Sequence, residues 1–239
     1  MASPPIRILI PPSEGKAPGG EGPVRAEVGE GAFAGLARHR KTVIAASDRK
    51  VLKAATLSAM RRYTGVLYKA LDYAALPSEA SERADEQLVI FSGLWGLVAP
   101  TDHLPDYKLP IGTTLPKLGG LGTWWKPRLS PVLNAHVADA VVWDLLPSAH
   151  ANAWADAGAA AKRWTVRVVR ETSNGTRITV SHDNKATKGY LARHVLLHGV
   201  RDPRELEDLE LPAGYRVDMR SVEQLTGPVG GIVEVVSRV

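Results

Sequence analysis

Short apolar runs separated by polar, glycine-rich and proline-rich segments dominate the first two thirds of the chain. Residues 6–10, Ile-Arg-Ile-Leu-Ile, end at Pro11 and Pro12, which predicts a buried strand followed by a sharp turn. Similar runs at residues 87–91 and 140–146 predict two more buried strands. Residues 31–76 predict helical segments with polar breaks, residues 100–116 a proline-rich irregular loop, and residues 122–139 one further helix.

The last third of the chain has a different pattern. Residues 163–170 and 176–181 flank Ser173-Asn174-Gly175, which predicts a hairpin because Asn-Gly favours positive φ at both turn positions. Residues 185–198 have apolar positions at helical spacing, and residues 215–219 and 231–236 predict the last strands. Interleaved strands and helices predict a mixed α/β fold. We expect one domain over residues 1–239, with a mixed sheet, surrounding helices and the C-terminal hairpin.

Composition narrows the class of protein. With 239 residues, 44% hydrophobic and 23% charged, the chain can bury a large core, which excludes a disordered protein, a collagen and a coiled coil. No apolar run is long enough to span a bilayer, and the N-terminus lacks the layout of a secretory signal. We therefore expect a cytoplasmic protein without membrane association, with a monomer favoured. The absence of cysteine excludes disulfides and thiolate chemistry, and we predict no cofactor and no metal site.

Charge is unevenly distributed along the chain. The net charge is +5, but residues 162–201 carry nine basic and two acidic residues, so that segment is +7 and the remainder is −2. A basic segment of this kind suits a phosphate-bearing partner. A solvated basic face is the alternative, and the charge pattern leaves both open.

Small and polar residues follow each of the three predicted apolar strands. In α/β sheets, ligands bind where loops converge beyond the carboxyl ends of the strands, so we predict one shared cleft. Turn chemistry alone would also place Gly, Pro and Ser at these positions. The residues predicted from this argument are Ser13, Glu14, Lys16, Ser92, Ser148 and His150.

A second candidate is the segment from Lys185 to Arg193. Lys185 and Lys188 precede Gly189 near a predicted helix start, where backbone N–H groups and two ammonium groups favour an anion. An ordinary amphipathic helix with a basic exposed side is the alternative. Dinucleotide-binding, Walker and Gly-x-Ser-x-Gly motifs are absent, and we interpret His194 and His198 as surface histidines.

Four motifs in fixed order resemble the YaaA family of peroxide-stress proteins. They span residues 6–193. The first is Ile-Leu-Ile-Pro-Pro-Ser-Glu-Gly-Lys16, and the second is Tyr63-Thr-Gly-Val-Leu-Tyr68. The third runs from Phe-Ser-Gly-Leu-Trp-Gly-Leu-Val-Ala-Pro100 to Asp102 and continues in Tyr107-Lys-Leu-Pro-Ile-Gly112, and the fourth is Lys185-x-x-Lys-Gly-x-x-Ala-Arg193. The resemblance implies a family-specific α/β fold and a role in limiting oxidative damage and intracellular iron. It also implies a positively charged cleft and a helix-hairpin-helix element similar to those of DNA-binding proteins.

The sequence departs from the family pattern at several positions. Trp95 stands where a tyrosine is usual, Ala99 replaces an arginine, and Lys108 and Lys188 replace arginines; the segment before Tyr63 does not predict a helix-hairpin-helix. Lysine in place of arginine reduces bidentate phosphate recognition. These changes leave room for an enzyme that acts on a small molecule.

Two functions follow. In the first, a basic cleft holds DNA, with five cations on phosphates and four aromatic residues available for stacking; Asp102 completes the predicted cleft. In the second, an enzyme acts on a nucleotide or a similar anionic small molecule, for example by cleaving an N-glycosidic bond, with Glu14 as the catalytic carboxylate and Lys16 and His150 handling protons or charge. The cations are Lys16, Lys108, Lys185, Lys188 and Arg193, and the aromatic residues are Tyr63, Tyr68, Trp95 and Tyr107.

Overall fold

The computed structural model describes residues 3–23, 31–179, 181–223 and 230–238. The described strands are β1 (Ile6–Ile10), β2 (Glu21–Pro23), β3 (Ala55–Ser58), β4 (Leu88–Ser92), β5 (Gly96–Val98), β6 (His103–Pro105), β7 (Thr114–Leu115), β8 (Gly119–Gly120), β9 (Val141–Asp144), β10 (Lys162–Glu171), β11 (Arg177–Thr179), β12 (Glu210–Leu211), β13 (Tyr215–Val217) and β14 (Gly230–Arg238). The described α-helices are α1 (Ala37–Ala46), α2 (Ala59–Arg62), α3 (Val66–Leu71), α4 (Ser78–Gln87), α5 (Leu121–His136), α6 (Ser148–Ala151), α7 (Ser181–His198) and α8 (Met219–Glu223). Short 3₁₀ turns lie at Ala34–Leu36, Arg49–Lys53, Tyr73–Ala75, Pro203–Leu206 and Pro212–Gly214.

A mixed sheet organises the described chain and confirms the predicted α/β class. Its strand order is β12-β13-β14-β10-β9-β1-β4-β5, with β11 paired to β10. The five central strands, from β14 to β4, are parallel to one another, and the remaining pairs are antiparallel. Central parallel strands are covered on both faces, which explains why β4 and β9 are buried along their whole length.

The three apolar strands predicted from the sequence are neighbours in this sheet. β1 lies between β4 and β9 and runs parallel to both. Their carboxyl ends therefore meet at one edge, as the cleft prediction requires.

Two helices pack closely beside this edge. Helix α7 crosses α3 at Gly189, where an added Cβ would lie 2.3 Å from the carbonyl oxygen of Leu67 and 2.8 Å from the Cβ of Ala70. Real Cβ atoms do not approach a backbone oxygen so closely, so glycine permits this crossing. The crossing fixes the middle of α7, directly after Lys188, against α3.

Several local predictions differ from the structure. The segment at residues 31–76 includes a strand, β3, because Ala55–Ser58 pairs with β2 and β6 rather than extending a helix. The proline-rich loop contains the short strands β6 and β7. The predicted strand at residues 176–181 is shorter, since α7 begins at Ser181.

The predicted β10–β11 hairpin is confirmed, but its turn differs in detail. Among the two turn residues, Gly175 has a positive φ of 82° and Asn174 does not. The turn is therefore longer than a two-residue one, closed by the amide of Thr172 bonding to the carbonyl of Thr176. Across the described ranges, no helix combines the length and apolar character needed to cross a membrane.

Candidate functional site

A cavity of about 590 Å³ lies beyond the carboxyl ends of β1 and β9. Its walls come from the loop after β1, the first turn of α3, residues 107–112, the segment from β9 into α6, and the start of α7. This volume is within the range of small-molecule sites. The predicted residues that line it are Ser13, Glu14, Lys16, Tyr68, Tyr107, Lys108, His150, Lys185 and Lys188.

The loop that carries Glu14 and Lys16 is held by a buried arginine at the end of α2. The guanidinium of Arg62 donates to the carbonyl groups of Ala17 and Gly19 in this loop, and to those of Ala55 and Leu104 in β3 and β6. One side chain thus satisfies four backbone acceptors that belong to three separate segments. Because the anchor is a planar fork with five donors, the loop has a fixed position beside the cavity.

The turn between α2 and α3 also depends on a small residue. An added Cβ at Gly65 would lie 2.4 Å from the Oγ of Ser13. The hydroxyl of Tyr68, on α3, donates to the carbonyl of Pro11 at 2.9 Å. The loop after β1 and the start of α3 therefore form one closely packed wall.

A chain of buried hydroxyl groups lies behind the opposite wall. The Tyr107 hydroxyl is 2.6 Å from that of Tyr63 and 2.7 Å from the Oγ of Ser92, and Ser92 also accepts the backbone N–H of Trp95. Burial raises the pKa of Tyr107 to about 12, although its hydrogen bonds with Ser92 and Tyr63 oppose the shift. Tyr63 has a raised pKa mainly through burial, so these hydroxyls are neutral at physiological pH.

Lys16 lies over this aromatic wall. Its Nζ is 4.5 Å from the centre of the Tyr107 ring, and it donates to the carbonyl of Ser13 at 3.1 Å. Burial lowers its pKa, while the nearby carboxylates of Asp106 and Glu14 oppose that shift. A cation over an aromatic face is stabilised by the ring quadrupole, so the wall holds the lysine in place beside the cavity.

Two cavity residues carry buried polar atoms without hydrogen-bond partners among the described residues. They are the Oγ of Ser13 and both ring nitrogens of His150. Burial lowers the pKa of His150 to about 4, so its ring is neutral at physiological pH. An unpartnered buried polar group is costly, so Ser13 and His150 lower the stability of the cavity wall.

The ammonium group of Lys188 is the most deeply placed cation of the cavity lining. The residue is 7% exposed, and its Nζ donates to the carbonyl of Leu146 over a long 3.4 Å contact. The nearby carboxylate of Asp144 instead accepts two hydrogen bonds from Arg163, at 2.6 and 3.2 Å. Burial therefore lowers the pKa of Lys188 to about 8, with Asp144 opposing the shift.

The remaining predicted site residues lie outside the cavity surface. Ser92, Trp95 and Asp102 are buried; Trp95 packs edge-on against Tyr107, and Asp102 accepts the amide of Ala99. Tyr63 lies behind Tyr107, while Ser148 is exposed at the start of α6. Arg193 donates to the carbonyl groups at the C-terminal end of α3 and after it, so it caps that helix.

Most basic side chains of residues 162–201 form ion pairs, so they do not form a continuous surface of unpaired positive charge. Arg163 pairs with Asp144 and Asp156, and Lys162 with Asp202. Arg177 pairs with three carboxylates, those of Glu171, Asp218 and Glu234, and Arg167 also pairs with Glu234. Lys185 and Lys188 are the members of the segment that line the cavity.

Several cavity residues were not predicted as site residues. The apolar wall is supplied by Val66, Leu67, Leu109, Ile111 and Leu145. The first four lie within the family motifs, which is the signal that could have identified them, but an apolar side chain does not by itself indicate a site rather than core. Asn184 also lines the cavity, and its position beside Lys185 at the helix start is the signal that could have identified it. The anchoring role of Arg62 depends on three separate segments meeting, which no local pattern shows.

Comparison with known proteins identifies the family. A family described as "Peroxide stress protein YaaA" matches residues 33–221, more than half of the chain. The chain belongs to this family. It is 37% identical over 241 residues to a UPF0246 protein of Streptomyces coelicolor, an alignment that covers 88% of this chain and 91% of that protein.

Other relatives support the same assignment. A UPF0246 protein of Corynebacterium glutamicum is 33% identical over 226 residues, covering 84% of this chain and 89% of its own length. One from Corynebacterium efficiens is 32% identical over 239 residues, covering 89% and 94%. The predicted resemblance is therefore confirmed, and the family connects the chain with the oxidative stress response.

Proposed function

We propose that this protein contributes to the peroxide stress response by binding a nucleotide-sized anionic molecule in the cavity and acting on it chemically. The observation that carries the proposal is the pair of cavity residues, Ser13 and His150, whose buried polar atoms lack partners among the described residues. Buried polar groups in folded proteins nearly always have a hydrogen-bond partner, so a cavity wall that leaves two residues without one favours a functional site.

Charge and surface chemistry indicate the class of ligand. The described cavity lining has four lysines, Lys16, Lys108, Lys185 and Lys188, and a single carboxylate, Glu14. Apolar side chains and the rings of Tyr68 and Tyr107 make up much of the remainder. An anion with a planar or apolar body suits this combination, since cations hold the charge and the walls exclude water.

Glu14 is the carboxylate that cleavage of an N-glycosidic bond would use. It is an exposed carboxylate at the edge of the cavity, where it can orient a water molecule or stabilise positive charge that develops on a sugar ring. Cleavage of an N-glycosidic bond of a nucleotide needs such a group together with cations on the phosphate. In this proposal Lys108 and Lys185 hold the phosphate and Glu14 faces the anomeric carbon.

DNA is the second candidate. Lys108 and Lys185 are exposed while lining the cavity, so they can also meet the backbone of a long polyanion. Binding of this kind would release counterions and weaken steeply with salt. The paired arginines of the basic segment favour the smaller ligand instead, because their charge is already neutralised.

Titration calorimetry with a mononucleotide and with a DNA duplex, each at two salt concentrations, separates the two candidates. The proposed function predicts saturable binding of the mononucleotide with a shallow salt dependence. DNA binding through about four to five phosphates predicts a slope near −4 for log K against log salt. Tight duplex binding with that slope and no mononucleotide binding would overturn the small-molecule proposal.

Two variants test the role of Glu14. Glu14→Gln should abolish turnover of the nucleotide while leaving its affinity largely unchanged, because it removes the carboxylate but keeps the size of the side chain. Glu82→Gln, at an exposed position of α4, is the matched control and should leave both unchanged. Loss of thermal stability alone in Glu14→Gln would assign that residue a structural role.

A further inference from the structure

The amine of Lys188 is placed differently from those of the other lysines in the cavity. Lys108 and Lys185 are exposed, and Lys16 is half-buried over an aromatic ring. Lys188 is buried, and its one described hydrogen bond, to Leu146, is long. Among the described side chains it has no ion pair with a carboxylate, since the nearby Asp144 is bonded to Arg163.

The surroundings of Lys188 favour an uncharged amine. Leu145, Pro147, Val66 and Leu67 contribute apolar surface to the same cavity, and desolvation disfavours the ammonium form. The pKa of about 8 that results leaves a large neutral fraction near physiological pH. Other titratable groups around this cavity, from every wall, are Glu14, Lys16, Tyr68, Tyr107, Lys108, Asp144, His150 and Lys185.

We propose that Lys188 is a nucleophilic amine that forms an imine with an anionic aldehyde or ketone held in the cavity. This inference rests on the proposed function in one respect, because the same lysines that hold a nucleotide's phosphate would bring a phosphorylated carbonyl compound to the amine. A sugar phosphate in its open-chain form belongs to this class, and it is also what cleavage of a nucleotide at its N-glycosidic bond releases.

The chemistry balances without a redox partner. The lone pair of the neutral Lys188 Nζ adds to the carbonyl carbon, and one Nζ proton passes to the carbonyl oxygen, which gives a carbinolamine. The second Nζ proton leaves with that hydroxyl group as water, and the C–O bond is replaced by the C=N bond of the imine. The apolar walls of the cavity slow hydrolysis of the product.

Reductive trapping tests the proposal directly. The full chain is incubated briefly with pyridoxal 5′-phosphate and sodium cyanoborohydride, and the modified lysines are identified by peptide mass mapping. Lys188 should be labelled about tenfold faster than the exposed Lys69, Lys108 and Lys185 at pH near 8, because burial gives the Lys188 amine a large neutral fraction near that pH. Labelling of Lys188 no faster than of these lysines would overturn the proposal.

Two variants test whether the labelled amine is that of Lys188. A pH series on the unmodified chain tests the same point without requiring either variant to fold. Lys188→Arg keeps the positive charge and removes the reactive amine, so fast labelling should disappear, whereas Lys69→Arg on the outer side of α3 should retain it. In the unmodified chain, the rate at Lys188 should rise to half its plateau near pH 8. A rate that keeps rising to pH 10, as for an ordinary amine, would contradict the assignment even if Lys188→Arg does not fold.

Failure of the imine proposal and failure of the proposed function would give different results. Nucleotide binding by calorimetry without preferential labelling of Lys188 would overturn the imine and leave the proposed function intact. Preferential labelling by both pyridoxal 5′-phosphate and uncharged pyridoxal, without nucleotide binding, would support the reactive amine and overturn the anion site. A larger preference for Lys188 over the exposed lysines with the phosphorylated aldehyde than with pyridoxal supports both.

Discussion

Tyr107 couples the surface of the cavity to the buried hydroxyl chain behind it. Its ring lines the cavity and lies beneath the Lys16 ammonium group, while its hydroxyl bridges Tyr63 and Ser92. Tyr63 and Ser92, which the sequence motifs suggest as ligand contacts, instead hydrogen-bond to Tyr107 from behind the cavity wall. At the scale of single residues, the candidate site therefore consists of residues that line the cavity and a buried layer of hydroxyl groups behind them.

Tyr107→Phe should lower the free energy of unfolding by about 1–2 kcal/mol, because Tyr63 and Ser92 each lose a buried hydrogen-bond partner. Ser92 still accepts the Trp95 amide, which limits the loss. Urea denaturation measures the change. Tyr190→Phe removes a hydroxyl from an exposed residue of α7 and should stay within about 0.5 kcal/mol. Equal effects of the two substitutions would show that the buried hydroxyl chain contributes nothing to stability.

His150 makes the stability of the fold depend on pH. Its folded pKa of about 4 lies below the value of about 6.5 of an unfolded histidine. Between these values the unfolded chain binds more protons, so stability falls as the pH is lowered. As the pH falls from about 6.5 to about 4, the free energy of unfolding of the wild type should fall by up to about 3 kcal/mol more than that of His150→Gln.

Urea denaturation at a series of pH values between 7 and 4 measures this difference. His103→Gln, at an exposed position of β6, is the matched control for the loss of one histidine. Parallel curves for the wild type and His150→Gln over the whole series would refute the burial argument.

At the scale of secondary structure, close crossings decide where the site elements lie. Gly189→Ala should destabilise the protein by about 1–3 kcal/mol, because its Cβ meets the backbone of α3. Gly122→Ala is the matched control within α5: its Cβ would lie 3.6 Å from the nearest atom, an ordinary contact. That variant should be neutral or more stable by up to about 1 kcal/mol. Thermal and urea unfolding of both variants test the contrast.

The same scale shows what the sequence can and cannot predict. The runs that become β1, β4 and β9 predict strands because buried parallel strands are continuous apolar runs. The cavity lies beyond the ends of β1 and β9, whereas Ser92 at the end of β4 does not line it. β3 was not predicted, since Ala55–Ser58 has no such run and becomes a strand by pairing with β2 and β6. The burial of Trp95 behind Tyr107 depends on a distant loop, and local patterns do not contain that information.

At the scale of the whole molecule, ion pairs connect distant parts of the chain. Arg177 on β11 joins Glu171 of β10, Glu234 of β14 and Asp218 before α8. Burial alone would raise the pKa of Asp218, but hydrogen bonds from Arg220 and Arg177 lower it below its usual value. The stabilisation is therefore present above the unfolded pKa of about 3.9 and is lost as the pH falls through the folded pKa.

Arg177→Gln should lower the free energy of unfolding by about 1–3 kcal/mol at neutral pH, because it leaves three partly buried carboxylates without their shared cation. The difference from the wild type should shrink near pH 3, as measured by urea denaturation at the two pH values. Arg216→Gln breaks an exposed pair with Glu210 and should cost less than about 1 kcal/mol. A difference for Arg177→Gln that does not depend on pH would contradict the electrostatic explanation.

The central position of β1 has a consequence for the chain while it is being synthesised. Ile6 pairs with Val141, about 135 positions later, and Ile8 with Leu88. A ribosome adding about 5–20 residues per second therefore leaves this strand without its neighbours for several seconds or longer. Prolines stand on both sides of it, at positions 4, 5, 11 and 12, and proline cannot donate to a β-ladder. They limit how far the waiting strand can pair with other nascent chains, a gatekeeping role that the finished protein no longer needs.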